Sequence, residues 1–381
     1  MRKPYLLLFV LICAAPILAQ DIKSLSLSQT GCLPTGSVSV VDNTLYAATT
    51  QGIMSLRLEP QGNWETWQFG GEYVKKMVFN GNGCMVLLKD KNEYITGKAN
   101  DRLMISTDGG STFHDVTGEG ILGTNGVSVW GVAACPGHEE QWMCSTDKGL
   151  FETTDGGAIW TKLTDISDSF IAYSPQDSQI RYMCGSSDGF TGTVYVSRDG
   201  GIHWTYFSTD NFDDAVHNID FHPRNPSTLC YGSWYATGVS TDYGDTWQVH
   251  PLPTTPKHQG GLIMFDRDNG DMLYYIFMSQ GTIVLRQSDN YGEEWFDYAT
   301  LAGIEGEEGG WALDMVQQGR KLYFSTRHDV YVANLGIPSG IRQTIQTDDN
   351  HNTHTYDVNG MQIPCQIHGV YIQNGRKVVV K

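Results

Sequence analysis

The stretch Ser106-Thr-Asp108-Gly-Gly110-Ser-Thr-Phe113 returns as Thr153-Thr-Asp155-Gly-Gly157-Ala-Ile-Trp160, as Ser197-Arg-Asp199-Gly-Gly201-Ile-His-Trp204 and as Ser240-Thr-Asp242-Tyr-Gly244-Asp-Thr-Trp247. A fifth copy, Ser288-Asp-Asn290-Tyr-Gly292-Glu-Glu-Trp295, has Asn where the others have Asp. The opening hydroxyl residues lie 47, 44, 43 and 48 residues apart. A fixed period of this size marks a repeat architecture. Locally the phrase reads as a tight turn. An Asx side chain accepts hydrogen bonds from the backbone N–H groups that follow it, and a glycine two positions on supplies a positive φ. Asn makes the same bond. Asp108, Asp155, Asp199, Asp242 and Asn290 are therefore read as structural hairpin-tip residues, not as catalytic acids or metal ligands.

Outward from the turns, one strand recurs in every unit. It appears as Leu45-Tyr-Ala-Ala48, Cys84-Met-Val-Leu-Leu88, Trp142-Met-Cys-Ser145, Tyr182-Met-Cys-Gly185, Leu229-Cys-Tyr-Gly232, Leu273-Tyr-Tyr-Ile-Phe277 and Leu322-Tyr-Phe-Ser325. That makes seven units, with the phrase confined to the five internal ones, as terminal repeats are often atypical. Short β-branched and aromatic runs between Gly, Pro, Asn and Asp, with no sustained helical period, give an all-β chain. Around Val216–Val249 four such runs make one unit. Four strands per unit, seven times over, predict a seven-bladed β-propeller across residues 21–335, with a small C-terminal β-module. Asp21 to Pro34 enter the ring or supply a closing strand.

The phrase resembles the Asp box, or bacterial neuraminidase repeat, S/T-x-D-x-G-x-x-W/F. That family includes sialidases, xyloglucan-active glycosidases, sortilin-type receptors and photosystem-assembly propellers. Lead-in segments such as Ile219-Asp-Phe-His-Pro223-Arg-Asn-Pro-Ser227 resemble the xyloglucanase and sortilin branch. The resemblance implies a fold and leaves enzymes, receptors and assembly factors open. A sialidase-like site, which needs an arginine triad, is disfavoured, because no Arg-Ile-Pro motif occurs and the few arginines fall mostly within strands or box turns, such as Arg198 and Arg286. Xyloglucanase-like enzymes place their cleft between two propellers, and this chain has repeats for one. After a polar linker, 336–354, the segment 355–381 contains Tyr356-Asp-Val-Asn359-Gly360 and Gly369-Val-Tyr371-Ile-Gln-Asn374-Gly375-Arg-Lys377-Val-Val-Val-Lys381. It resembles the C-terminal sorting domain of Bacteroidetes proteins, which implies recognition by the type IX secretion machinery.

The N-terminus fits export. Arg2 and Lys3 precede an apolar run from Tyr5 to Ala15 and a small residue at Ala19, which reads as a signal peptide over residues 1–20. The run is too short to span a bilayer, so the mature chain is expected to be secreted or held at the outer cell surface, without a membrane span. Losing the two cations takes the formal charge from −17 to −19, which speaks against nucleic acid as a partner. The seven cysteines left are odd in number, so they cannot form a closed disulfide framework. Cys144, Cys184 and Cys230 share one repeat position and read as packing residues. With no CxxC, no Cys/His cluster and no nucleotide or metalloprotease motif, neither a metal nor a cofactor is expected.

In a propeller the ligand site is expected at one mouth of the central channel, on the loops leading into each innermost strand. Counting along the repeats places Tyr73 and Lys75, Trp130, Asp168, then Asp213, Asp214 and His217 there. His258, Gln259, Glu305, Glu307, Glu308 and Trp311 complete the set. Trp130, His217, His258 and Trp311 are the candidate ligand-binding residues, since aromatic faces suit sugar rings. Glu307, Glu308, Asp214 and Asp168 are the candidate catalytic carboxylates, because glycoside hydrolysis needs an acid and a base. The expected role is binding of a glycan or a surface protein at an acidic mouth. The alternatives are a glycoside hydrolase acting on an extracellular polysaccharide, xyloglucanase-like or sialidase-like, and a scaffold for a surface complex.

Overall fold

The computed structural model describes residues 22–91, 100–118, 121, 126–168, 170–186, 192–209, 215–252, 259–279, 281–304 and 312–336, with only the backbone of 186 and 259–260. It also describes the backbone of four short strands between 355 and 380. The leader, Asp213, Asp214, His258, Glu305, Glu307, Glu308, Trp311 and the linker 337–354 lie outside the described residues.

Seven four-stranded antiparallel sheets form the blades of the propeller. Blade 5 shows the pattern: Val216–Phe221 is innermost, Leu229–Ser233 second, Ala236–Ser240 third and Gln248–Pro251 outermost. The second and third strands are buried on every residue in blades 3 and 5. Sheets stacked face to face leave no wet side for these strands, so they read as continuous apolar runs without alternation. The outermost strands stay largely exposed. The core is accordingly seven cores. Each apolar cluster joins two neighbouring blades, as Met85, Leu103, Val132 and Trp142 join blades 2 and 3, and Leu27, Leu45 and Tyr323 join blades 7 and 1. The fully buried Cys144, Cys184 and Cys230 sit in the second strands of blades 3, 4 and 5 as free thiols.

The ring closes with its N-terminal strand. Ile22–Ser24 pairs with Val330–Asn334 and becomes the outermost strand of blade 7, while the chain re-enters at Pro34–Val41 as the innermost strand of blade 1. Asp329 fastens this joint. Its carboxylate accepts hydrogen bonds from the Leu27 N–H at 2.7 Å, the Ser24 hydroxyl at 2.6 Å and the Val330 N–H at 2.8 Å.

Each repeated turn links the third strand of a blade to its outermost one, so it lies at the end opposite to where the innermost strands begin. The turn is closed on itself. In blade 3 the Thr153 hydroxyl donates to Asp155 Oδ1 at 2.7 Å, and Asp155 Oδ1 accepts the Ile159 N–H at 2.9 Å. The Gly157 N–H donates to the Thr153 hydroxyl at 2.9 Å. Asn290 repeats the pattern in blade 6, accepting from Ser288 at 2.9 Å and from the Glu294 N–H at 3.0 Å. Gly157 has φ +92°, and a Cβ there would stand 2.7 Å from Val116 Cβ of blade 2. The turn is thus also the joint between blades. Trp160 completes it by donating its indole N–H to the Val116 carbonyl at 2.9 Å.

Residues 336–381 form a separate compact unit. Within it Thr355–Asp357 pairs with both Gln362–Ile363 and Gly369–Gln373, and the latter pairs with Arg376–Val380.

Candidate functional site

The innermost strands of all seven blades line the central channel, and their first residues form one mouth. A cavity of about 440 Å³ opens there. Its wall includes Lys75 and Lys76 of blade 2, Trp130 of blade 3, Phe170 of blade 4, His217 of blade 5 and Asp314 of blade 7. Trp130 remains 41% exposed, an unusual state for the largest side chain unless its face has a use.

The described wall is not acidic. Lys75, Lys76 and Arg267 stand against Asp220 and Asp314. Two of these five charges are engaged with each other, since Arg267 Nη2 donates to Asp220 Oδ1 at 2.7 Å. That pair is structural, because Asp220 Oδ2 also accepts the Phe265 N–H of the next blade at 2.7 Å. Beside it, the Asn218 amide clamps the same two blades by exchanging hydrogen bonds with the Ile263 backbone at 2.7 and 3.0 Å.

Lys76 and Asp314 differ. Burial pulls the Lys76 ammonium down from the usual lysine range, and Asp314 only partly offsets this. Burial likewise raises the Asp314 carboxyl, against the opposing pull of Lys76. Both groups are driven toward their neutral forms by the same desolvation. Lys76 Nζ lies 5.6 Å from the centroid of the Phe170 ring. Asp314 Oδ2 accepts the Val38 N–H at 3.1 Å, across the joint between blades 7 and 1. His217 packs edge-on against Trp234 with ring centroids 4.9 Å apart. Burial lowers its imidazole to about 4, and among the described residues its buried Nε2 has no hydrogen-bond partner.

Trp130, His217 and Lys75 therefore meet at the mouth, as register placed them. Asp168 does not line the cavity. It is buried, its backbone N–H donates to the Ser145 hydroxyl at 3.0 Å, and its carboxylate lies where a Cβ at Gly185 would fall. The missing side chain at Gly185 lets the carboxylate fold back over its own blade. Lys76 and Asp314 escaped notice in the sequence. Their one signal is a charged residue opening an otherwise apolar innermost strand, as in Val74-Lys-Lys76-Met-Val78 and Leu313-Asp314-Met-Val316.

A larger open cleft, about 760 Å³, lies between blades 2 and 3. Its carboxylates are already engaged: Asp155 within its turn, Asp101 with the Val129 N–H at 2.7 Å and Asp115 with the Thr117 hydroxyl at 2.6 Å. Among the described residues no three His, Cys, Asp or Glu side chains converge as a metal site, and no helix is long and apolar enough to cross a membrane.

No protein-family model matches the chain. It is 31% identical over 174 residues to a xyloglucanase of Acetivibrio thermocellus, a match covering 43% of this chain and 20% of that protein. In structure it is similar to the GH74 xyloglucanase from Xanthomonas campestris, with TM-score 0.59, 15% identity and coverage of 85% of this chain and 54% of the other. Virginiamycin B lyase from Staphylococcus aureus is similar with TM-score 0.60 and 14% identity, over 83% of this chain and 99% of the lyase. The chain thus spans about a fifth of the curated xyloglucanase and about half of the solved one. It is a seven-bladed β-propeller resembling GH74 xyloglucanases.

Proposed function

We propose that the protein is a glycoside hydrolase acting on an extracellular polysaccharide, with the channel mouth as its site. The observation that carries the reading is Trp130, held 41% exposed at a cavity shared with His217 and Asp314. An aromatic face stacks on a sugar ring while polar groups around it fix the hydroxyls. The sequence likeness to a xyloglucanase supports hydrolysis over binding alone and makes xyloglucan the first substrate to offer.

Hydrolysis of a glycosidic bond needs one carboxyl that holds a proton and one that does not. Asp314, raised by burial, is the group suited to deliver a proton to the leaving oxygen. The second carboxylate would come from the loops leading into blades 5 and 7, where Asp214, Glu307 and Glu308 stand in the sequence. The leader and the C-terminal unit fit an enzyme delivered outside the cell.

Xyloglucan incubated with the full chain should release reducing ends. Asp314→Asn should slow that release by roughly a hundredfold or more, as expected for an acid catalyst, and either Glu307→Gln or Glu308→Gln should do the same. Retention of xyloglucan without release would end the hydrolase reading. A second reading, binding without cleavage, is favoured by the Val38 N–H bond to Asp314, which gives that carboxylate the same blade-joining duty as Asn218.

A further inference from the structure

We infer that the channel cavity takes an anionic group, and that the glycan at this mouth carries a uronate whose carboxylate sits between Lys76 and His217. The sugar part rests on the function proposed above; the anion part rests on the wall itself.

Three donors or charges face the cavity, and they differ in how they are satisfied. Arg267 has Asp220 at 2.7 Å and the Phe221 carbonyl at 3.0 Å. Lys75 donates to the Thr35 carbonyl at 3.3 Å. Among the described residues Lys76 has neither a hydrogen bond nor an ion pair, only the face of Phe170 at 5.6 Å. This half-buried ammonium is partly desolvated at the cavity wall, and the ring face offsets only part of that cost. Asp314 lies near enough to influence it but not within ion-pair distance, and its Oδ2 is turned to the Val38 N–H.

His217, on blade 5, supplies the second observation. Among the described residues its Nε2 is buried and has no hydrogen-bond partner, so the Nε2–H tautomer carries an unsatisfied donor. Native structures rarely leave such groups unmade, and those that persist call for a partner from outside. Blades 2 and 5 lie on different sides of the ring, yet Lys76 and His217 line one cavity. A carboxylate bound there would pair with the Lys76 ammonium and lie beside His217, with Trp130 on the same wall to receive the attached ring. A neutral glucan would leave Lys76 as it is. The preference for an anion therefore separates this site from one built for xyloglucan alone.

The test is calorimetric titration of the full chain with sodium D-glucuronate and with D-glucose at low salt. Glucuronate should bind at least about tenfold tighter, the gain of one charge-assisted contact, and the gain should shrink as salt is added. Lys76→Met should erase the difference, His217→Gln should reduce it, and Lys75→Met should leave it. Circular dichroism and Tm of each variant report whether the ring is intact. Equal binding of the two probes by the wild type would overturn the inference, as would a preference that survives Lys76→Met or disappears in Lys75→Met. A protein that cleaves xyloglucan but ignores glucuronate sinks this inference alone. One that binds glucuronate and cleaves nothing sinks the hydrolase reading alone.

Discussion

The two ends of the ring are built from the same four-stranded unit and resolve their polar groups in opposite ways. At the turn end the hydroxyl and Asx side chains of the repeated phrase are satisfied internally, although among the described residues the buried indole N–H of Trp295, which ends the fifth copy, has no partner. Ser106, Asp108 and the Thr112 N–H close one loop of hydrogen bonds, and four more blades copy it. At the mouth the polar side chains are few, irregular and incompletely matched, with Lys76 over a ring face and His217 Nε2 without a partner. Repetition thus marks the end where the fold is stabilised. The irregular end, where Lys76 and His217 keep unmatched groups beside the satisfied Arg267–Asp220 pair, is where a ligand has something to add.

The strongest way to sharpen that contrast is to break the turn end where it is most buried. Between blades 3 and 4, Glu152 Oε1 accepts from Arg181 Nη2 at 2.5 Å, Tyr173 OH at 2.7 Å and Gln141 Nε2 at 3.0 Å. The Arg181 side chain is 3% exposed. Arg181→Met leaves Glu152 charged with its main partner gone, and unfolding in urea should show a loss of about 3–5 kcal/mol. A loss below about 1 kcal/mol would mean that the turn end does not depend on this network. The contrasting change at the mouth, Lys76→Met, removes an unmatched charge and should hold or raise Tm.

A smaller effect, spread over pH, comes from His217. Its folded pKa, about 4, lies below the ordinary histidine value of 6.5, so the unfolded chain binds the proton first. This imposes no cost above pH 6.5; as pH falls toward about 4 stability drops, and the total loss approaches roughly 3 kcal/mol. His217→Gln should flatten that part of the stability–pH curve. His222, also lowered by burial, keeps a residual slope in the variant. An unchanged curve would show that His217 is not held neutral at the mouth.

How much of this was legible follows from distance along the chain. The blades were, because the phrase from Ser106 to Phe113 repeats its own local chemistry. Trp130, His217 and Lys75 were placed by counting to each innermost strand. Asp168 occupies the corresponding position in blade 4, but Gly185 gives its carboxylate a bed that spacing does not reveal. The Glu152–Arg181 pair joins residues 29 apart, and the Asp329 fastening reaches 302 residues back to Leu27. Such contacts exist only once blades stack and the ring closes. Lys76 was missed because its significance lies in the partners it lacks, and a sequence shows only the partners it could have.

The smallest expected effect tests the contrast most directly. Asp242 is held at about 2 by the Thr246 hydroxyl and N–H, which bond its carboxylate at 2.6 and 2.9 Å. The ordinary value is 3.8, so the turn's contribution is complete above about pH 4 and fades as pH falls toward 2. Asn keeps the acceptor that matters, as Asn290 does with Ser288 and Glu294. Asp242→Asn should therefore move Tm at pH 7 by no more than about 2 °C, whereas Asp242→Ala should lower it by roughly 3–5 °C. Between pH 4 and 2 the Asn variant should lose less stability than the wild type, because its amide does not titrate. Sugar release and glucuronate binding should be the same in all three proteins. If Asp242→Asn instead abolished either one, the repeated turns would carry function after all, and the division of labour between the two ends would fall.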